Sequence, residues 1–336
     1  MCRLCNAKRL ANARSFSSLI ADPAAVGLAP AGPDTVHPGN AGNPTMGHAW
    51  HQQRRNLMGT LATGAAVAAA PALWHEPAQA QVDVGSASSM RKLVPAGQLE
   101  AAAAQQYAQM LAEAKSKRAL APDDNPQLQQ LRAIAQKLIP FAMPWNERAK
   151  QWHWEVNLIG SKQINAFCMP GGKIAFYTGI LNELKLTNDE IAMVMGHEIA
   201  HALREHARER LAKSQATSMG LSIGARLLGL GDLGDLAANM GTKLLTLKFG
   251  RDDETEADLV GLELAARAAF NPEAGVTLWQ KMGQASGGGN DSALMHFLST
   301  HPSGPERIDA LRANAPKVMG LYEKAKAAAA TKTNSS

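Results

Sequence analysis

The run Thr187-Asn188-Asp189-Glu190-Ile191-Ala192-Met193-Val194-Met195-Gly196-His197-Glu198-Ile199-Ala200-His201 opens as a helix should. Thr187 can cap the first turn while Glu190 reaches back to the cap residue's own N–H, the reciprocal arrangement of a capping box. Apolar Ile191, Val194, Met195 and Ile199 then recur at helical spacing, predicting one helix that continues to about Lys213. On such a helix His197 and His201, four residues apart, share a face, so both imidazoles can reach one ion. Glu198 projects about 100° round from His197. That places its carboxylate beside the open position of a bound metal, where it can take a proton from a water acidified toward a pKa of about 7. A pentad of this kind arises by chance in on the order of one per cent of such chains, so its context matters. Here the context is a well-capped amphipathic helix that follows predicted strands.

Two histidines leave a zinc site short of a donor. The extended three-histidine pattern needs Gly at position 204 and His at 207, and this chain has Arg204 and Ala207. A glutamate on a later helix is the other solution, and Arg251-Asp252-Asp253-Glu254-Thr255-Glu256-Ala257-Asp258 offers it. Glu254 and Asp258 also lie four apart, so Glu254 can bind metal while Asp258 accepts a hydrogen bond from a ligand histidine. Glu256, about 160° round from Asp258, is the rival donor. Acidic residues favour a helix's first turn on electrostatic grounds alone. Spacing by itself therefore leaves a solvated acidic helix start as open as a metal donor.

With Asn165-Ala166-Phe167 upstream and Ser299-Thr300-His301-Pro302 downstream, these motifs resemble the M48 peptidases over roughly residues 98–315. Those are zinc proteases related to the CaaX prenyl protease and to bacterial quality-control proteases. The resemblance implies one zinc ion per chain on His197, His201 and Glu254, with Glu198 as catalytic base and Asp258 behind a ligand histidine. It also implies that Asn165 and His301 flank the substrate, and that the substrates are proteins or peptides. The implied fold is α+β: a mainly helical, gluzincin-like metallopeptidase domain with a small antiparallel sheet beside the active-site helix. Membrane-embedded branches carry several spanning helices. Lacking these, the chain looks closer to the soluble periplasmic branch, which degrades misfolded or stalled envelope proteins. His301, held toward extended geometry by Pro302, has two possible uses. It can donate to a developing oxyanion, or fill the fourth metal position and latch the resting site.

Outward from the motif, residues 97–118 and 128–138 read as helices, while 153–159, 164–167 and 173–177 read as strands around a Pro170-Gly171-Gly172 turn. Residues 216–248 are apolar but broken by glycines and charges, which argues against a membrane span and for one or two helices near the site. A helix from about Asp252 to Ala269 stops at Asn271-Pro272, and Gly287 to Gly289 form a joint. Ser303-Gly304-Pro305-Glu306 starts a last helix, with a disordered tail over 325–336. His206, about 140° round an uninterrupted helix from His201, reads as a packing or surface residue. His153 and His296 read as structural, and Cys168 as a small buried residue.

Hydrophobic residues make up 46% of the 336, enough for a packed core. The net charge of +5 includes +3 in residues 1–80, and no basic patch interleaved with aromatics points to nucleic acid. Residues 54–80 read as a cleaved export signal: Arg54-Arg55, an alanine-rich apolar stretch from Leu57 to Leu73, then Ala78-Gln79-Ala80 before a mature start at Gln81. The paired arginines resemble a twin-arginine signal. Residues 1–53 are expected to be a disordered or mis-annotated extension, leaving 81–324 as the metallopeptidase domain. Of three cysteines only Cys168 survives cleavage, which suits an oxidising periplasm. The competing readings are a zinc-binding periplasmic chaperone without proteolysis and a structural zinc domain. A structural site would be closed by four ligands, often cysteines.

Overall fold

The structure, a computed structural model, describes residues 82–214, 244–286, 291–302 and 304–333. The expected extension and export segment, most of the apolar stretch 216–248, the glycine joint and Ser303 lie outside these residues. Among the described residues, no helix is long and apolar enough to cross a membrane.

Two helices lead in, α1 (Ala96–Ser116) and α2 (Pro126–Leu138). Asn125 caps α2, its Oδ1 accepting from the N–H groups of Gln127 and Leu128 at 3.0 and 3.1 Å. Pro126 gives up no hydrogen bond at the first helical position. Leu128, Leu131, Ile134, Ala135 and Leu138 form its buried stripe at helical spacing.

Strands β1 (Glu155–Ile159), β2 (Ala166–Met169) and β3 (Lys173–Tyr177) make one sheet in the order β1-β3-β2. The β2–β3 pair is antiparallel, but β1 runs parallel to β3 with Glu155 opposite Lys173, so the sheet is mixed rather than wholly antiparallel. The cause lies at the other edge of β1. There Ala121 N–H donates to Leu158 O at 3.0 Å and Gly160 N–H to Ala119 O at 2.6 Å. With that edge taken, β2 crosses to the far side of β3 and becomes the sheet's edge. Gly171 and Gly172 close the β2–β3 turn at φ of 89° and 78°. A Cβ on Gly172 would lie 2.8 Å from the Trp154 ring.

Alternation along the strands feeds two cores, as the two-residue period requires. Ala166, Cys168, Ile174 and Phe176 pack into the larger cluster with α2 and the central helix. Phe167, Met169 and Ala175 pack into a second cluster with Leu99, Ala103 and Tyr107 of α1. After short α3 (Thr178–Glu183) comes the central helix α4 (Asn188–Leu203). Its capping box forms as expected: Glu190 N–H donates to Thr187 Oγ1 at 3.3 Å, and Thr187 N–H donates to Glu190 Oε2 at 2.8 Å.

The helix does not continue to Lys213. It ends at Leu203, Glu205 takes a left-handed φ of 60°, and a separate helical segment spans 206–214. Glu205 is held there by Arg91 at 2.8 Å and Arg208 at 2.9 Å. Helices α5 (Arg251–Arg267), α6 (Ala274–Ser286), α7 (Asp291–Thr300) and α8 (Pro305–Thr333) complete the domain. The tail expected to be disordered from residue 325 is instead helical to Thr333, because its alanines and lysines are strong helix formers.

Helices α4 and α5 cross with their backbones nearly touching. A Cβ at Gly261 would lie 2.7 Å from His197 N, and one at Gly196 would lie 2.9 Å from Gly261 O. This glycine-on-glycine crossing brings the α4 histidines and the first turns of α5 together.

Candidate metal centre

His197, His201, Glu254 and His301 converge in one buried cluster, each offering a donor atom within 4.8 Å of the others. His197 Nε2 lies 3.1 Å from His201 Nε2 and 3.5 Å from Glu254 Oε2, while His201 Nε2 lies 3.4 Å from Glu254 Oε1. His301 Nδ1 lies 3.4 Å from His197 Nε2 and 3.1 Å from Glu254 Oε1. Two donors each about 2.05 Å from a tetrahedral zinc ion are separated by about 3.3 Å, so these spacings suit one such ion.

The side chains themselves argue the same way. Glu254 is fully buried, and its Oε2 lacks a hydrogen-bond partner. Arg307 Nη1 stands 2.7 Å from that oxygen, close enough for ion pairing but without hydrogen-bond alignment. Glu198 Oε1 is likewise buried without a hydrogen bond, 3.8 Å from His301 Nε2. Buried carboxylate oxygens without a hydrogen bond are costly, and a bound cation would complete them; an N, N, O donor set suits zinc. The residues fit the ion.

Charge inside the cluster is strongly perturbed. Burial opposes protonation of His197, but hydrogen bonds to Asp258 and Glu254 prevail and raise its pKa to about 9. Burial holds His201 well below the ordinary histidine value. Burial also raises Glu198 above the usual carboxylate range. Glu254 goes the other way: burial would raise it, yet His301, His197 and His201 together hold it far below.

The remaining expected residues fall close by. Asp258 Oδ1 lies 2.9 Å from His197 Nδ1. Asn165 stands at the head of β2, its Oδ1 accepting from Ala166 N–H at 3.0 Å, and lines the cavity that Glu198, His201, Phe249 and His301 also border. The rings of Phe249 and Phe297 stack on His201 and His301, with centroids 4.0 and 4.6 Å apart. Glu256 is not in the cluster; it accepts from Arg204 Nε at 2.7 Å.

Residues 126–315 match the sequence profile of peptidase family M48. The chain belongs to that family. Among relatives of this M48 chain, the mitochondrial metalloendopeptidase OMA1 of Schizosaccharomyces pombe is 40% identical over 156 residues, covering 46% of this chain and 44% of that protein. Metalloprotease LoiP of Escherichia coli is 26% identical over 204 residues, covering 60% and 75%. The β-barrel assembly-enhancing protease of Yersinia pestis is 26% identical over 165 residues, covering 46% and 33%. Against the OMA1 proteins of Arabidopsis thaliana, Schizosaccharomyces pombe and Saccharomyces cerevisiae, the M48 chain spans only 30% to 49% of the relative's length.

Arg307 of the M48 centre escaped the sequence reading, and His206 was read only as a packing or surface residue. Arg307 grips Asp258 with two hydrogen bonds, Nε to Oδ2 and Nη2 to Oδ1, both 2.7 Å, and its guanidinium lies 3.7 Å over the Trp279 ring. An arginine two residues into a capped helix looks like an ordinary surface charge; the only signal was the nearby His301-Pro302 motif. His206 is buried, its Nδ1 2.9 Å from His201 Nδ1. The break at Glu205 turns it back toward the centre, where an uninterrupted helix would have carried it away.

Proposed function

We propose that this chain is a zinc-dependent endopeptidase that hydrolyses peptide bonds of exported proteins in envelope quality control. The observation that carries the reading is the buried four-donor cluster with the Glu198 carboxylate beside it, its buried Oε1 without a hydrogen bond. In this reading His197, His201 and Glu254 hold one zinc ion, and Asp258 orients His197. When bound, zinc would polarise the scissile carbonyl and acidify the attacking water.

The chain's own groups do the rest. Glu198 accepts the proton of the attacking water on its carboxylate and passes it to the leaving amine. Asn165 heads the edge strand β2, alongside which an extended peptide can add as a further strand. His301, whose Nδ1 stands among the donors, serves as a fourth ligand that latches the resting site; it would have to swing out for substrate to enter.

The family and the metalloendopeptidase relatives support peptide-bond hydrolysis. A relative named for enhancing β-barrel assembly supports work on envelope proteins. Export through a signal ending at Ala80 is part of the same proposal, checked by the intact mass of the protein from the envelope fraction. The deciding experiment is hydrolysis of casein or quenched peptides by purified wild type beside Glu198→Gln. The variant should keep its zinc and lose about 10²–10⁴-fold in rate. Equal rates would remove Glu198 from the mechanism, and a wild type inactive with zinc bound would favour the chaperone.

A further inference from the structure

Outside the four donors, the described residues hold a second chain of polar contacts that ends on a metal-binding histidine. His201 Nδ1 meets His206 Nδ1 at 2.9 Å, and His206 Nε2 meets Glu256 Oε2 at 3.2 Å. Glu256 is anchored in turn by Arg204 Nε at 2.7 Å. Arg204 Nη2 also donates to the carbonyls of Val84 and Gly85 at 3.3 and 2.9 Å, tying the relay to the start of the described chain.

We propose that His206, backed by Glu256, is a positioning residue that holds His201 in the one tautomer able to bind the metal. The inference rests on the zinc site proposed above. With His206 taken as the neutral imidazole, donor and acceptor counting fixes each step. A carboxylate can only accept, so the His206 nitrogen facing Glu256 carries the proton. The other nitrogen of a neutral His206 is then bare and accepts, so His201 Nδ1 must carry a proton and donate it. That leaves His201 Nε2 without a proton, on the side facing His197, Glu254 and His301. A ligand histidine commonly has its second nitrogen fixed in this way.

His197 has the same support from Asp258 directly, and Arg307 steadies that carboxylate. His201 reaches its carboxylate through an intervening imidazole because the turn at Glu205 places His206, not an acid, behind it. Both ring nitrogens of His206 are engaged, so it has none to offer a metal. Phe249, stacked on His201 with ring planes 24° apart, fixes the ring plane while the relay fixes the proton.

The test uses the mature full chain labelled with ¹⁵N-histidine, as wild type, His206→Ala and His206→Asn. Asparagine keeps an acceptor oxygen close to where Nδ1 stood. Two quantities are measured: the ¹⁵N shifts of the His201 ring in metal-free protein, and the zinc dissociation constant by chelator competition. Wild type should show a protonated Nδ1 and a bare Nε2. His206→Ala should mix the two tautomers and weaken zinc binding 10–100-fold, and His206→Asn should restore most of both. Unchanged shifts and affinity in His206→Ala overturn the proposal, as does a proton on Nε2 in wild type or an Asn variant as damaged as the Ala variant. A wild type that binds no zinc would retire the metal site, while the metal-free shifts would still decide the relay.

Discussion

Replacing Gly261 by alanine tests whether the helix crossing sets the metal centre. The new methyl would stand 2.7 Å from His197 N, 2.8 Å from Gly196 C and 3.0 Å from His197 Cα, all backbone atoms with no rotamer to yield. Carbon contacts settle near 3.5 Å, so the two helices must part by about 0.5–0.8 Å. Overpacking of that kind costs about 1–3 kcal/mol. Glu254 precedes Gly261 by seven residues, two turns along the same face, so the displacement carries its carboxylate away from His197 and His201. Metal sites tolerate about 0.2 Å in ligand distance. The variant should therefore lose zinc affinity by about 100-fold or more, and its zinc-free form should melt about 2–10 °C lower. Chelator competition and a thermal melt read the two effects separately. Gly320→Ala, where nothing lies within 4 Å, is the control and should be neutral or stabilising by about 0.5–1 kcal/mol. Wild-type zinc affinity in Gly261→Ala would refute the claim that this contact positions Glu254.

The ligand choice predicts that Glu254→Ala loses most of the bound zinc, whereas Glu256→Ala, which touches only the relay, costs about tenfold; equal losses by elemental analysis would overturn it. If His301 latches the site, His301→Ala should raise basal peptide hydrolysis and self-cleavage; a fall of about 10²–10³-fold in kcat would make it an oxyanion donor instead. Glu190 is held below the ordinary carboxylate pKa: burial opposes this, but hydrogen bonds from Lys281, Thr187 and Thr277 outweigh it. Its stabilising contribution is thus present above the unfolded value and lost as pH falls through the folded one. Glu190→Gln should flatten the acid limb of a denaturation-versus-pH series, and an unchanged limb would count against the capping box as a source of acid sensitivity.

What could be read from the sequence was what repeats locally. His197 with His201 announces itself because a helix puts residues four apart on one face; Glu254 and Asp258 share a face in the same way, but their spacing alone left a solvated acidic helix start equally open. Thr187 and Glu190 announce the helix that carries the first pair. His301 came into view only through the resemblance of its flanking residues. Three features escaped for physical reasons. The parallel β1–β3 pairing depends on what occupies the far edge of β1, residues 119–121, which no strand pattern encodes. His206 was placed on an uninterrupted helix, and the left-handed Glu205, fixed by Arg91 and Arg208, moved it. Arg307 acquires its role only by burial against Trp279 and pairing with Asp258, 49 residues earlier.

The donors are scattered along the chain. His197 and His301 meet across 104 residues, and Glu254 and His301 across 47. A ribosome must therefore have released nearly the whole domain before the last donor can join the first. Partly made chains and broken pieces lack one donor or more, so a centre assembled in this way comes into being only when folding of the domain ends. For a cell, on the peptidase reading proposed above, that timing is a safeguard: the activity and the finished molecule arrive together.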